Sequence, residues 1–418
     1  MSKSFLNGGI ALLLLLFSTL ALIVPDLSNA CLFLLVLCGA ASLLMPASPQ
    51  ALPRAVVWRR YWPLLLALAL PALAVLLHQV GAGDYNGRDY DRPLRLAMFL
   101  FVFLAVRRLP AGRLDWLPWA WTLAAVLACG KAWIVTDGGS IPNTGSLGFV
   151  PGVVFSNVAL LLGVWLLLSL RLGQSRWLLV CKLIGIVAAC YVTFMIKTRG
   201  TWLALPFFAV FFVWYLRSLK AWQKAAILLI PLVLLGAGAM RSDAVGERLA
   251  GVRNDLTAYA DGGNRDTSVG QRLEIWRASW LMFREQPLWG VGRQQFKPEL
   301  YRLAGEGKVS ASIVELPHAH NGLMFQMALW GSGGLIAWML VYLAPMVYFA
   351  RALRHADDVV RTWAAMGMCL CIGFMVFDMT DVMFFWVILN GFYAISLAIF
   401  LTAIDHRKAA LPADPSGV

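Results

Sequence analysis

Long apolar runs separated by short basic breaks dominate the chain. Runs of about 17–25 residues can be placed at 8–24, 28–45, 62–80, 94–109, 116–134, 151–170, 177–196, 201–216, 222–239, 320–350, 362–377 and 382–403. That is the length a helix needs to cross a hydrocarbon core about 30 Å thick. The pattern predicts an all-α polytopic membrane protein of about twelve transmembrane helices. Pro and Gly interrupt several runs, which membrane helices tolerate where neighbours satisfy the freed backbone groups. The run 320–350 exceeds one span and is expected to project beyond the bilayer. The first run, Gly8–Val24, has no small-residue cleavage site after it and gives way at once to a second, so it reads as a retained span.

One polar stretch of about 78 residues, 241–318, breaks the rhythm and is too long for a mere connector. Its charges nearly balance, about eleven basic against ten acidic, which predicts a folded cap rather than a disordered tail. Within it Ser268-x-x-Gln271 reads as a capping box. Leu273, Trp276, Trp280 and Phe283 then recur at helical spacing up to Pro287, so this aromatic face is expected to rest on the bundle. A second cap helix is expected around 243–259. The chain thus divides into spans one to nine over 1–240, a cap over 241–319, spans ten to twelve over 320–403, and a tail over 404–418.

The basic breaks fix an orientation. With the N-terminus inside, the inner loops carry Arg54, Arg59 and Arg60; Arg107, Arg108 and Arg113; Arg171 and Arg176; Arg217, Lys220 and Lys224; and Arg351, Arg354 and Arg361. The tail adds Arg407 and Lys408, whereas short outer loops hold only Arg88, Arg92, Lys197 and Arg199. Positive charge marks the cytoplasmic side, so both termini are expected there and the cap outside. This placement accounts for most of the +13 net charge without nucleic acid. Composition agrees: 60% hydrophobic and 14% charged residues, with mean hydropathy +0.72, suit lipid rather than water as solvent. All seven cysteines lie in apolar runs, which excludes a disulfide framework for the cap. Cys369 and Cys371 point to different faces of one helix, a poor metal pair.

Charges at the outer membrane rim are costly and therefore mark candidate chemistry. Lys197 and Arg199 occupy a very short outer turn; Arg199 has the fork geometry for phosphate, although both also suit snorkelling anchors. Arg265, Arg272 and Arg277 lie in the cap, with Arg272 placed on the first turn of its helix, where free amides favour an anion. The plain alternative is a solvated helix face. His318 and His320, in Pro317-His-Ala-His-Asn-Gly322, stand at the outer boundary of the tenth span. Imidazole titrates near neutrality and suits general-base work on a hydroxyl. His-x-His is a weak zinc motif, so no metal is expected. Asp378 and Asp381 are placed to orient a histidine or bind a sugar hydroxyl, or else to sit in a solvated turn, and Asn321 is a further candidate. The loop 81–92, GAGDYNGRDYDR, has a composition common where sugars are bound.

With these residues laid out, the chain resembles the O-antigen ligase family, whose core is shared with O-antigen polymerases and bacterial protein O-oligosaccharyltransferases. The resemblance is carried by Arg199-Gly200, by Gln271-Arg-Leu-Glu-Ile-Trp276, by Pro-Leu-x-Gly-x-Gly from Pro287 to Gly292, and by His-x-His-Asn-Gly-Leu from His318 to Leu323. It is sharpest over 197–330. It implies a GT-C-like glycosyltransferase in the inner membrane of a Gram-negative bacterium, with a periplasmic active site. A glycan on undecaprenyl diphosphate would pass, with inversion and without a cofactor, to a hydroxyl of the lipid A–core acceptor. Arg199 and Arg272, with Lys197 and Arg265, would hold the diphosphate; His320, or alternately His318, would be the base. One large outer loop and a short tail favour a ligase over a polymerase or a protein transferase. A transporter would instead place charges at the bilayer midplane, where Lys182 is the main instance.

Overall fold

The computed structural model describes residues 3–45, 54–83, 85–137, 146–170, 174–196, 198–216, 220, 222–223 and 265–412. The expected ninth span, 222–239, and the expected cap helix at 243–259 lie outside or almost wholly outside them. The other runs coincide with helices: α1 Lys3–Leu20, α2 Leu27–Leu43, α3 Arg54–Ala82, α4 Asp91–Ala97, α5 Phe99–Val106, α6 Leu117–Thr136, α7 Gly152–Leu168, α8 Arg176–Ile196 and α9 Arg199–Tyr215. The cap supplies α10 Ser268–Glu285 and α11 Phe296–Gly305; α12 Gly322–Ala352, α13 Asp358–Phe377 and α14 Val387–Ala410 follow. A two-residue hairpin, Ser146–Leu147 with Val150–Pro151, is the sheet among the described residues. The protein is therefore an all-α membrane protein.

Six of these helices are long and apolar enough to cross a membrane, and four more are apolar but shorter. The expected span 94–109 is divided at Met98 into α4 and α5. The Met98 amide still donates to Leu94 and the Val102 amide to Met98, so hydrogen bonding runs through the break. The core sits around α13 and α14, which are enclosed along most of their length, whereas α6 leaves much of its surface open. Trp165 of α7 stacks on Phe392 of α14 at 5.8 Å and donates its indole N–H to the Met366 carbonyl of α13 at 3.1 Å. Outward residues such as Leu37, Leu66, Val80, Ile134 and Val187 are large, apolar and exposed, as expected where lipid replaces water.

The end of the bundle away from the cap is tied by charge. Asp405 on α14 is buried and takes the Arg107 guanidinium at 2.6 Å, the Arg60 guanidinium at 3.2 Å and the Tyr61 hydroxyl at 2.9 Å. Lys182 of α8, flagged above as a charge within a span, is buried and donates to the Ser169 carbonyl at 2.7 Å and to Gln174 at 2.8 Å. It ties down the end of α7.

The long α12 is kinked at Gly331, whose backbone (φ 62°, ψ −153°) is left-handed and interrupts the helical ladder. Two carbonyls before the kink are taken up from outside the helix: Val291 donates to Ala328 and Gly292 to Leu329, each at 2.9 Å. In return the Ser332 amide donates to Pro287 at 2.8 Å. The Pro-Leu-x-Gly-x-Gly segment is thus a strap pressed against a broken transmembrane helix. Any side chain at Gly290 would strike the Leu329 carbonyl group, which is why glycine stands there. His78 of α3 ties the strap down through Nδ1, 2.8 Å from the Trp289 carbonyl.

Two local expectations for α10 are corrected. Its N-cap is Thr267, whose hydroxyl accepts from the Gly270 amide at 3.1 Å, and not Ser268. Its buried face is Gly270, Glu274, Ile275, Ala278, Ser279 and Met282, while Trp280 is 47% exposed. Small Ala278 and Ser279 let α10 approach α12 closely; of the expected face Trp276 packs against the core, whereas Trp280 turns outward.

Candidate functional site

The cap and two outer turns converge on the histidines. Asn321 caps α12, accepting from the Met324 amide at 3.1 Å, so the chain must turn sharply just before it. His320 makes that turn with left-handed backbone (φ 49°), an uncommon state for a side chain with a Cβ. The turn folds His320 back so that its amide donates to His318 Nδ1 at 3.2 Å and the two rings stand 4.5 Å apart. On the cap side the Trp276 indole donates to the Ala319 carbonyl at 3.0 Å, fixing α10 against this turn.

The partner turn joins α13 to α14. Asp381 Oδ1 lies 3.6 Å from His318 Nε2, and the same carboxylate accepts from the Val382 amide at 2.8 Å and the Trp386 indole at 3.4 Å. Because His318 Nδ1 accepts a hydrogen bond, a neutral His318 carries its proton on Nε2, facing Asp381. His318 is buried at 3% exposure in an aromatic nest of Phe325, Phe385 and Trp386, and that burial pushes its pKa down to about 4. His320 is more open. Burial lowers its pKa too, opposed by Asp381 and reinforced by the Arg272 guanidinium. Both imidazoles are therefore neutral near pH 7, the form a base requires. One donor atom from each of His318, His320 and Asp381 falls within 4.8 Å of the others, a spacing that also suits a three-donor metal site.

Asp378 behaves differently. It is 2% exposed; its carboxylate accepts from the Met383 amide at 2.8 Å, and its carbonyl from the Gly322 amide at 2.7 Å. Burial raises its pKa to about 7. A side chain at Gly322 would overlap this carboxylate, so glycine is required for the two turns to meet. Neither aspartate forms a solvated turn. Asp381 stands beside His318, whereas Asp378 is enclosed. Asn321 is committed to the cap of α12 and to the Met379 carbonyl at 3.4 Å.

The arginines divide. Arg272 is the fifth residue of α10 rather than part of its first turn, and it acts electrostatically on His320. Arg265 and Arg277 stand 3.8 and 4.0 Å from Glu274, a fully buried carboxylate that also accepts from the Ser310 amide at 2.7 Å. Glu274 therefore pins the cap and engages both arginines; its place inside the Gln-Arg-Leu-Glu-Ile-Trp motif was the available signal. Lys197 and the side chain of Arg199 lie outside the described residues, although Gly200 backs onto Thr380 beside Asp381. Sequence reasoning placed Arg92 only as the end of the loop 81–92 and missed Arg293; the two stand over Phe385 at 4.3 and 5.4 Å, with Phe385 itself packed on His318 at 4.8 Å.

Residues 183–342 match the family described as O-antigen ligase. That stretch runs from α8 through the cap into α12 and holds Arg199, Arg272, His318 and His320; Asp378 and Asp381 lie beyond it. An uncharacterized protein of Haemophilus influenzae is 20% identical over 307 residues, covering 71% of this chain and 73% of its own. The resemblance drawn from the motifs is borne out over the matched residues, and it supports a membrane protein of the O-antigen ligase and polymerase type.

Proposed function

We propose that this chain is an O-antigen ligase: a glycosyltransferase that moves a glycan from undecaprenyl diphosphate to a sugar hydroxyl of lipid A–core at the periplasmic face of the inner membrane. The observation that carries the reading is the neutral His318–His320 pair, backed by Asp381 and flanked by Arg272, inside the family-matched segment. His320, the more open of the two, takes the proton from the attacking hydroxyl. His318 and Asp381 position it. Arg272, with Arg199 and Lys197 from the neighbouring turn, holds the diphosphate and balances the charge that grows as it departs. Arg265, engaged with Glu274, contributes at most to the surrounding field. Attack and departure occur on opposite faces of the anomeric carbon, giving inversion. Lipid anchorage of both substrates in one plane supplies proximity.

The test is transfer by the purified chain from undecaprenyl-diphosphate glycan to lipid A–core. Wild type is expected to glycosylate the acceptor, and His320→Ala to lose on the order of 10²–10⁴-fold in rate. Longer lipid-linked glycan with an unmodified acceptor would make the chain a polymerase. Modification of a protein hydroxyl instead would make it a protein O-oligosaccharyltransferase. Full activity of His320→Ala would remove the base assignment.

A further inference from the structure

Two arginines from separate elements converge on the ring that walls the histidine pair. Arg92 begins α4 and Arg293 follows the strap; their guanidinium carbons lie 4.3 and 5.4 Å from the Phe385 centroid, and Phe385 packs on His318 at 4.8 Å. Arg92 Nε is enclosed with no hydrogen-bond partner. Arg293 Nε is 4.0 Å from Asp89 Oδ1, beyond hydrogen-bond reach, and burial lowers the Arg293 pKa. Asp89 and Asp91 offset part of the Arg293 charge, and an oxyanion beside the ring would add a charge-assisted contact to either guanidinium. The outer loop holds Arg92 in place: Gln79 donates to the Asn86 carbonyl at 3.0 Å and to Asp89 at 3.3 Å, bracing the segment that leads into α4.

This pair reaches the site at a different histidine from Arg272. Phe385 contacts His318, whereas the Arg272 charge is felt at His320. An inverting displacement keeps the nucleophile and the leaving group apart, so cationic groups that address different members of the histidine pair suit two different substrates. We infer that Arg92 and Arg293 form an acceptor subsite that takes an oxyanion, phosphate or carboxylate, carried by the acceptor saccharide near its reacting hydroxyl. The inference rests on the transfer reading above, with the diphosphate held by Arg272.

The experiment measures apparent KM for acceptor and for donor separately in the full-length chain, for wild type, Arg92→Gln, Arg293→Gln and the double variant. Losing a charge-assisted contact is expected to raise acceptor KM about tenfold or more while donor KM stays within about twofold. Wild type with phosphate-stripped acceptor, or with carboxyl-reduced acceptor, identifies the oxyanion by reproducing that rise. The variants are expected to lose nothing further on that stripped substrate. The stripped-acceptor measurement uses wild type alone, so an unchanged acceptor KM there overturns the subsite even where a variant folds poorly. Transfer with unchanged acceptor KM, a rise in donor KM instead, or losses that simply add would overturn the subsite and leave the transfer reading standing. No transfer by wild type would overturn both.

Discussion

Burial separates the roles of two carboxylates that share one turn. Asp381 stays beside His318, with the Val382 and Trp386 N–H groups on it. Asp378, pushed up to about 7 by burial, is neutral in a large share of molecules near pH 7. Asp378→Asn is therefore expected to keep most activity, while Asp381→Asn loses at least about tenfold, read as transfer rate at equal protein in membranes. Equal losses would show that both act as charges. The histidines give a pH prediction with a definite sign. Their lowered pKa values leave the neutral base intact below the ordinary imidazole value of about 6.5, so the acidic limb of kcat/KM should fall below that pH. Arg272 contributes to that lowering, so Arg272→Gln should move the limb toward higher pH as well as weaken donor binding. A limb that stays put would detach Arg272 from His320.

Among elements, the strap and the broken helix it serves carry most of the site's geometry. Gly331→Ala would force a Cβ into left-handed backbone, about 1–2 kcal/mol of strain, and against the Leu288 carbonyl at 2.5 Å. The variant is expected to lose thermal stability in detergent and to release the strap, whereas Gly333→Ala, with open space around it, should behave as wild type. The spans, the strap motif and the helix at 268–285 were legible because hydrophobic period and turn residues are local properties. The inward face of α10 was legible only in part: Trp276 packs inward as the spacing suggested, but Trp280 does not, and the fit of Ala278 and Ser279 against α12 decided the rest. α11 was likewise missed. The histidines were legible by residue type and position, but the choice of Asp381 over Asp378 depends on how α12 and α13 bring two distant turns together. Arg92 and Arg293 meet only across Phe385, a contact that no spacing along the chain records.

At the scale of the whole molecule, charge is sorted between two ends. Asp405 gathers Arg60, Arg107 and Tyr61 at the end remote from the cap, and the histidines, Asp381 and the cap arginines collect at the other. With cationic side chains supplying the countercharge for a diphosphate, transfer is expected to persist in excess chelator, measured as product formed with and without EDTA. Abolition by chelation, restored by one divalent ion, would instead assign His318, His320 and Asp381 as its ligands.

The kink at Gly331 also constrains how the protein is made. Until Val291 and Gly292 reach them, the Ala328 and Leu329 carbonyls lack the partners they have in the folded chain, and open carbonyls are costly in hydrocarbon. The strap precedes α12 in sequence, so its amides have already left the ribosome when the tenth expected span enters the membrane. Synthesis order thus supplies the partner before the need arises. A rearranged chain that delivered α12 first would have to insert it with that defect open.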